Sequence, residues 1–186
     1  MSSLRLTLLL SLLAAAPLAP LAAQESDVVF GSFVSFLAPA GRTPLTGLSL
    51  TLSGTPGFGL RLNGRTALRN GDAASPGATT VMPPWGLDAD AVFGLSGRPF
   101  GGAHRSVATV GFVGYGIAAT DSGAVRTVAR NWSYGIGTTI PLGRMVDLFA
   151  DSRWRMTRFV LPTARPRPSR TKELRFGLAL HVGAGA

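Results

Sequence analysis

The sequence predicts an all-β fold: eight antiparallel strands in an up-and-down closed barrel, preceded by a cleaved leader. Three observations predict it. Eight segments of the 186-residue chain read as strands by period-two patterning. No stretch after the leader carries a clean helical stripe, and none holds the roughly 18 consecutive apolar residues of a membrane-crossing helix. Connections of unequal length, rich in Gly and Pro, separate the segments, with long ones at alternate positions.

Residues 1–23 read as a secretory signal peptide, and 24–186 as one barrel domain. Arg5 supplies a positive start, Leu6 to Ala16 an apolar run, and Ala14 to Ala23 a small-residue region before Gln24. The apolar run is too short to cross about 30 Å of hydrocarbon, and Pro17 and Pro20 interrupt its extension. There is no Cys at the cut to carry a lipid anchor.

The strands are expected at 28–37, 46–54, 57–69, 85–96, 105–118, 130–141, 145–158 and 171–183. The first and second are apolar or Gly-rich on both faces, and their orientation stays open. The third sets Leu60, Leu62 and Leu68 against Arg61, Asn63, Arg65 and Arg69. The fourth sets Leu87, Ala89, Ala91, Phe93 and Leu95 against Asp88 and Asp90. The fifth is again ambiguous. In the sixth, Trp132, Tyr134, Ile136 and Ile140 alternate with Ser133, Gly135, Gly137 and Thr139. In the seventh, Val146, Leu148, Ala150, Trp154 and Met156 oppose Asp147, Asp151, Arg153 and Arg155. In the eighth, Leu174, Phe176, Leu178, Leu180 and Val182 oppose Glu173, Arg175 and His181. Gly54–Gly57 and Pro141–Arg144 read as tight turns, and 70–84, 119–129 and 159–170 as long loops.

Composition narrows the class. The net charge is +9, with one Lys, Lys172, against 17 Arg, and there is no Cys. An exported chain without Cys relies on a core or a bilayer rather than on disulfides. Arg spread singly among apolar strands argues against a nucleic-acid partner. Most segments reach the roughly 9–11 residues that cross hydrocarbon when tilted. A spanning sheet must close, because lipid offers its backbone no hydrogen bonds, and eight strands are the usual minimum. The sequence therefore predicts a transmembrane barrel, apolar side out, with both termini in the periplasm. An exported lipocalin-like binding barrel is the soluble alternative, since periodicity alone does not say which face meets water.

The last strand carries Arg175-x-Gly177-x-x-Leu180-x-Val182. With the whole-chain strand pattern, it resembles the small OmpA/OmpX-type outer-membrane barrel family, whose final strand ends in polar-x-Gly-x-x-aromatic-x-hydrophobic. Here Leu180 replaces the aromatic, and four residues follow Val182. The resemblance implies an outer-membrane location in a Gram-negative envelope and recognition by barrel-assembly machinery.

The charged faces supply the candidate site residues. Arg61, Arg65, Asp88, Asp90, Asp147, Asp151, Arg153, Arg155, Glu173 and Arg175 would share the lumen. Arg61 and Arg65 are expected to reach Asp88 and Asp90, Arg153 and Arg155 to reach Glu173, and Asp147 or Asp151 to reach Arg175. Arg suits this role because its planar fork holds carboxylates bidentately. An eight-stranded barrel is just wide enough to be filled by side chains, which favours a polar plug over a narrow ion path. Arg158, Arg165, Arg167 and Arg170, in a Pro-rich loop, are candidates for contact with lipopolysaccharide phosphates. Trp85, Trp132, Tyr134, Phe149 and Trp154 are candidates for interfacial girdles.

No enzyme is expected. The two His, His104 and His181, lie in no nucleophile pattern, and Glu173 is roughly 26 Å along the strand from His181. No cofactor is expected, and Asp88-Ala89-Asp90 reads as salt-bridge partners to Arg rather than as a cation site. The functional expectation is a monomeric outer-membrane barrel with a structural or surface-interaction role, in contact with outer-membrane lipid and lipopolysaccharide. A small-solute channel stands as the alternative.

Overall fold

A computed structural model describes residues 27–38, 44–55, 57–67, 85–100, 106–121, 126–159 and 168–183. Eight strands follow in chain order: β1 (Asp27–Ala38), β2 (Leu45–Thr55), β3 (Phe58–Ala67), β4 (Trp85–Ser96), β5 (Ala108–Asp121), β6 (Arg126–Pro141), β7 (Val146–Phe159) and β8 (Pro168–Gly183). Each pairs antiparallel with its neighbour in sequence, and β1 pairs with β8 from Asp27↔Gly183 to Ala38↔Lys172, so the sheet is a closed barrel. Closure leaves no strand edge unpaired, the condition a sheet must meet where water is absent.

Alternation decides the two surfaces. In β3, Arg61, Asn63 and Arg65 are buried while Leu60 and Leu62 are exposed. The strands whose orientation the sequence leaves open follow the same rule. β1 turns Asp27, Val29, Phe33 and Ser35 inward and Phe30, Val34 and Phe36 outward. β2 turns Leu45, Thr51 and Ser53 inward, and β5 turns Val110 and Phe112 inward. These three resisted orientation because, Asp27 at the edge of β1 apart, their inward positions carry Gly, small hydroxyl and apolar residues rather than charges.

The inward aromatics explain many of the glycines. Phe33 lies directly across from Gly47, Phe112 from Gly135, and Phe149 from Gly177. A Cβ on any of these three glycines would run into the ring opposite it. The narrow lumen accepts a Phe only where the facing strand gives up its side chain. Phe149 thus belongs to the lumen, at 7% exposure, and not to an aromatic girdle as its residue type suggested.

Two connections differ from the sequence expectation. The β5–β6 loop is short, because pairing continues to Asp121↔Arg126 and satisfies backbone groups beyond the apolar part of the hairpin. The β4–β5 connection, at the end of the barrel that holds Asp27 and Gly183, is the longer one. Its described part up to Phe100 turns inward and buries that ring against Val29, Val92, Val110 and Phe112. We call this the terminal end, and the opposite one the loop end.

Candidate functional site

The lumen divides into an apolar cluster near the terminal end and a charged network around the middle. The network is supplied by β3, β4, β7 and β8. Between adjacent strands, Arg61 Nε lies 3.3 Å from Asp90 and Arg65 Nη1 lies 2.6 Å from Asp88. Arg155 Nη2 lies 2.6 Å from Glu173. Arg175 donates to Asp151 on the adjacent β7, and its Nη1 reaches across the barrel to Asn63 Oδ1 of β3 at 3.0 Å.

Other contacts cross the barrel between strands that are not neighbours. Arg153 of β7 grips Asp90 of β4 with both terminal nitrogens, and it also donates to Ser133 of the adjacent β6 at 3.0 Å. Arg155 Nη1 reaches Asp88 Oδ1 at 2.8 Å, and Arg61 Nη1 reaches Asp151 Oδ2 at 3.1 Å. Between the adjacent β3 and β4, Asn63 Nδ2 donates to Asp90 at 2.8 Å. The guanidinium groups of Arg61 and Arg153 each lie 4.7 Å from the Phe112 ring centroid, and that of Arg175 lies 4.9 Å from Phe33. Buried cations over ring faces gain from the aromatic quadrupole as well as from their carboxylates.

Asp147 takes a different partner from the one expected. It meets His181 Nε2 at 2.7 Å, while His181 Nδ1 lies 2.8 Å from Asp27. Of the two carboxylates expected for Arg175, Asp151 is the one placed against it. A carboxylate on each ring nitrogen suits the imidazolium form, which has two N–H donors. The trio ties together the terminal ends of β1, β7 and β8. Sequence reasoning placed His181 on the lumen face but missed Asp27, because β1 could not be oriented. It also passed over buried Asn131, whose Oδ1 accepts from Arg155 Nη1 at 2.5 Å and whose alternation with Ser133 in β6 was the available signal.

Arg153 and Glu173, directly opposite in register, find their close partners elsewhere: Arg153 on Asp90 and Glu173 on Arg155. Among the last-strand residues, Arg175 and Gly177 take inward positions, Gly177 beneath Phe149, while Leu180 and Val182 are exposed on the exterior. Arg158 and Arg170 are exposed at the loop end of β7 and β8, while Arg165 and Arg167 lie outside the described residues.

Between its two ends the exterior of the barrel is largely apolar. Leu48 is 69% exposed and Leu87 54%, values that ordinary soluble surfaces avoid over contiguous areas. Tyr115 and Trp132 meet edge to face at 4.9 Å, and Tyr134 stacks on Trp154 at 5.7 Å.

No family model and no curated protein matches the chain. Among solved structures, the chain is similar to the N-terminal β-barrel domain of Pseudomonas aeruginosa OprF, at TM-score 0.59 and 13% identity over 86% of this chain and 98% of that one. It is also similar to Neisserial surface protein A, at TM-score 0.50 and 12% identity over 83% of this chain and 96% of that one. The chain thus has the closed eight-stranded fold of the small outer-membrane barrels.

Proposed function

We propose that the protein is an exported outer-membrane barrel with a structural or surface-interaction role, whose lumen is plugged by its own ion pairs. The observation that supports this best is the inverted polarity. The ten lumen charges expected from the sequence are all buried, and the outward-facing side chains form an apolar belt. In water this arrangement would expose the belt; in a bilayer it meets acyl chains. The belt speaks against the soluble lipocalin-like alternative.

The plug is favoured over a channel by two features. Arg153 on Asp90 and Arg155 on Asp88 bridge the lumen from wall to wall. Phe100 and its apolar neighbours then fill the terminal end. In this reading, residues 1–23 direct export and are removed, Arg175, Gly177, Leu180 and Val182 present the assembly signal, and the barrel acts as a monomer without enzymatic activity. Arg158 and Arg170, with Arg165 and Arg167 in the connection between them, face lipopolysaccharide.

Cell fractionation and planar-bilayer recording test the proposal together. The expected result is recovery with outer membranes, heat-modifiable migration on a gel, and no stepwise current. Recovery in the soluble periplasmic fraction overturns the membrane assignment, and reproducible unitary currents overturn the plug.

A further inference from the structure

We infer that the outer wall of the barrel holds one phosphate-bearing, multi-acyl lipid, with an acyl chain seated over Gly64 and its phosphate on Arg130 and Arg158. The inference rests on the membrane reading above and adds a specific seat to it.

Two independent features meet on this wall. The first is an open recess of about 580 Å³, within the roughly 300–1,000 Å³ typical of small-molecule sites. Gly64 and Ala89 are among its small lining residues, and Leu48, Leu87, Tyr115 and Ile117 rise around them. A Cβ added to Gly64 would meet only Leu87, at 3.5 Å, so the space above that backbone is unfilled. The apolar lining suits a hydrocarbon chain, and the exterior position gives such a chain direct access.

The second feature is a group of cations with no exposed acid beside it among the described side chains. Among the described side chains, every carboxylate is buried in the lumen. Arg130, Arg158, Arg170 and Lys172 are instead exposed on the outside of β6, β7 and β8. Arg130 and Arg158 are directly opposite in register. Like charges so placed repel each other, and a bridging anion turns that repulsion into attraction. Lys172 lies 5.4 Å from the Trp154 ring centroid, which keeps an aromatic face beside the cations.

One cross-strand row joins the two features. It runs Leu48↔Gly64, Gly64↔Leu87, Leu87↔Ile117, Ile117↔Arg130 and Arg130↔Arg158. Arg130 is three strands from Gly64, or about 14 Å at the usual spacing. A lipid with several chains covers that distance, whereas a free phosphate ion would use only the cationic end.

The test uses the refolded full chain in detergent micelles and bis-phosphorylated hexa-acyl lipid A as the probe, with native mass spectrometry as the readout. Wild type is expected to retain one lipid. R130Q/R158Q is expected to weaken retention about tenfold, the loss of roughly one charge-assisted contact, and G64L, which fills the recess without touching a charge, is expected to weaken it as well. Heat-modifiable migration verifies that each variant is folded. Equal retention by R130Q/R158Q, or equal binding of the dephosphorylated glycolipid, overturns the phosphate seat. Unchanged retention by G64L overturns the acyl seat. Competition by millimolar inorganic phosphate, with no dependence on Gly64, assigns a free-anion site and overturns the lipid. A chain that never enters micelles or vesicles overturns the membrane reading; one that enters and holds no lipid overturns this inference alone.

Discussion

Arg153 on β7 and Asp90 on β4 form a two-pronged ion pair across the lumen, with Arg153 Nη1 donating to Oδ1 at 3.1 Å and Nη2 to Oδ2. Both side chains are fully buried, and the strands that carry them are not neighbours. The pair acts as a strut that holds opposite walls at a fixed separation. Breaking it leaves a buried charge without its main partner, which is the expensive way to alter such a pair.

Asp90→Ala is therefore expected to lower stability by about 3–5 kcal/mol. Urea unfolding in lipid vesicles, followed by Trp fluorescence, measures this. The double variant D90L/R153M is expected to recover most of the loss, because apolar side chains of similar volume can replace a buried pair. A single variant as stable as wild type would remove the strut from the account.

Gly135→Ala is expected to destabilise the barrel by about 1–3 kcal/mol through overpacking, since the new Cβ would strike Phe112 and the Ser152 carbonyl. Gly143→Ala, in the β6–β7 turn, meets nothing within 4 Å and is expected to be close to neutral. The same unfolding assay compares the two. Equal effects would mean that the facing ring does not dictate the glycine.

Leu178→Arg places a charge on the exterior near the middle of β8, where Leu178 is 50% exposed. In a bilayer the substitution is expected to reduce stability by about 2–4 kcal/mol. In a water-soluble barrel the same change would be harmless. Folding yield into vesicles and the urea midpoint report the difference.

Phe100→Ala is expected to open the terminal end. The chain has no Cys, so Val110→Cys gives a clean probe inside the apolar cluster. V110C alone should resist a small maleimide, whereas F100A/V110C should label in the same pulse. Fast labelling of V110C on its own would show that Phe100 does not seal the end.

Much of this architecture was legible in the sequence because a strand's period of two is a local property. Wherever a strand set charges against apolar residues, as at Arg61–Leu62 or Asp88–Ala89, its two faces could be told apart directly. Which of the two turned inward was not local. The same alternation serves a sandwich and a membrane barrel alike, and closure of β1 on β8 is what separates them here.

By itself the sequence determined the strands, their order and the identity of ten charges on one set of faces. Adjacent partners such as Arg65 and Asp88 followed, because neighbouring antiparallel strands must meet. The tertiary structure alone decided the transluminal pairs, the diversion of Asp147 to His181 and Asp27, and the Phe rings set over Gly47, Gly135 and Gly177. Each of these joins residues whose separation is fixed by the barrel's diameter and register. Those are properties of the closed sheet as a whole, and no single strand encodes them.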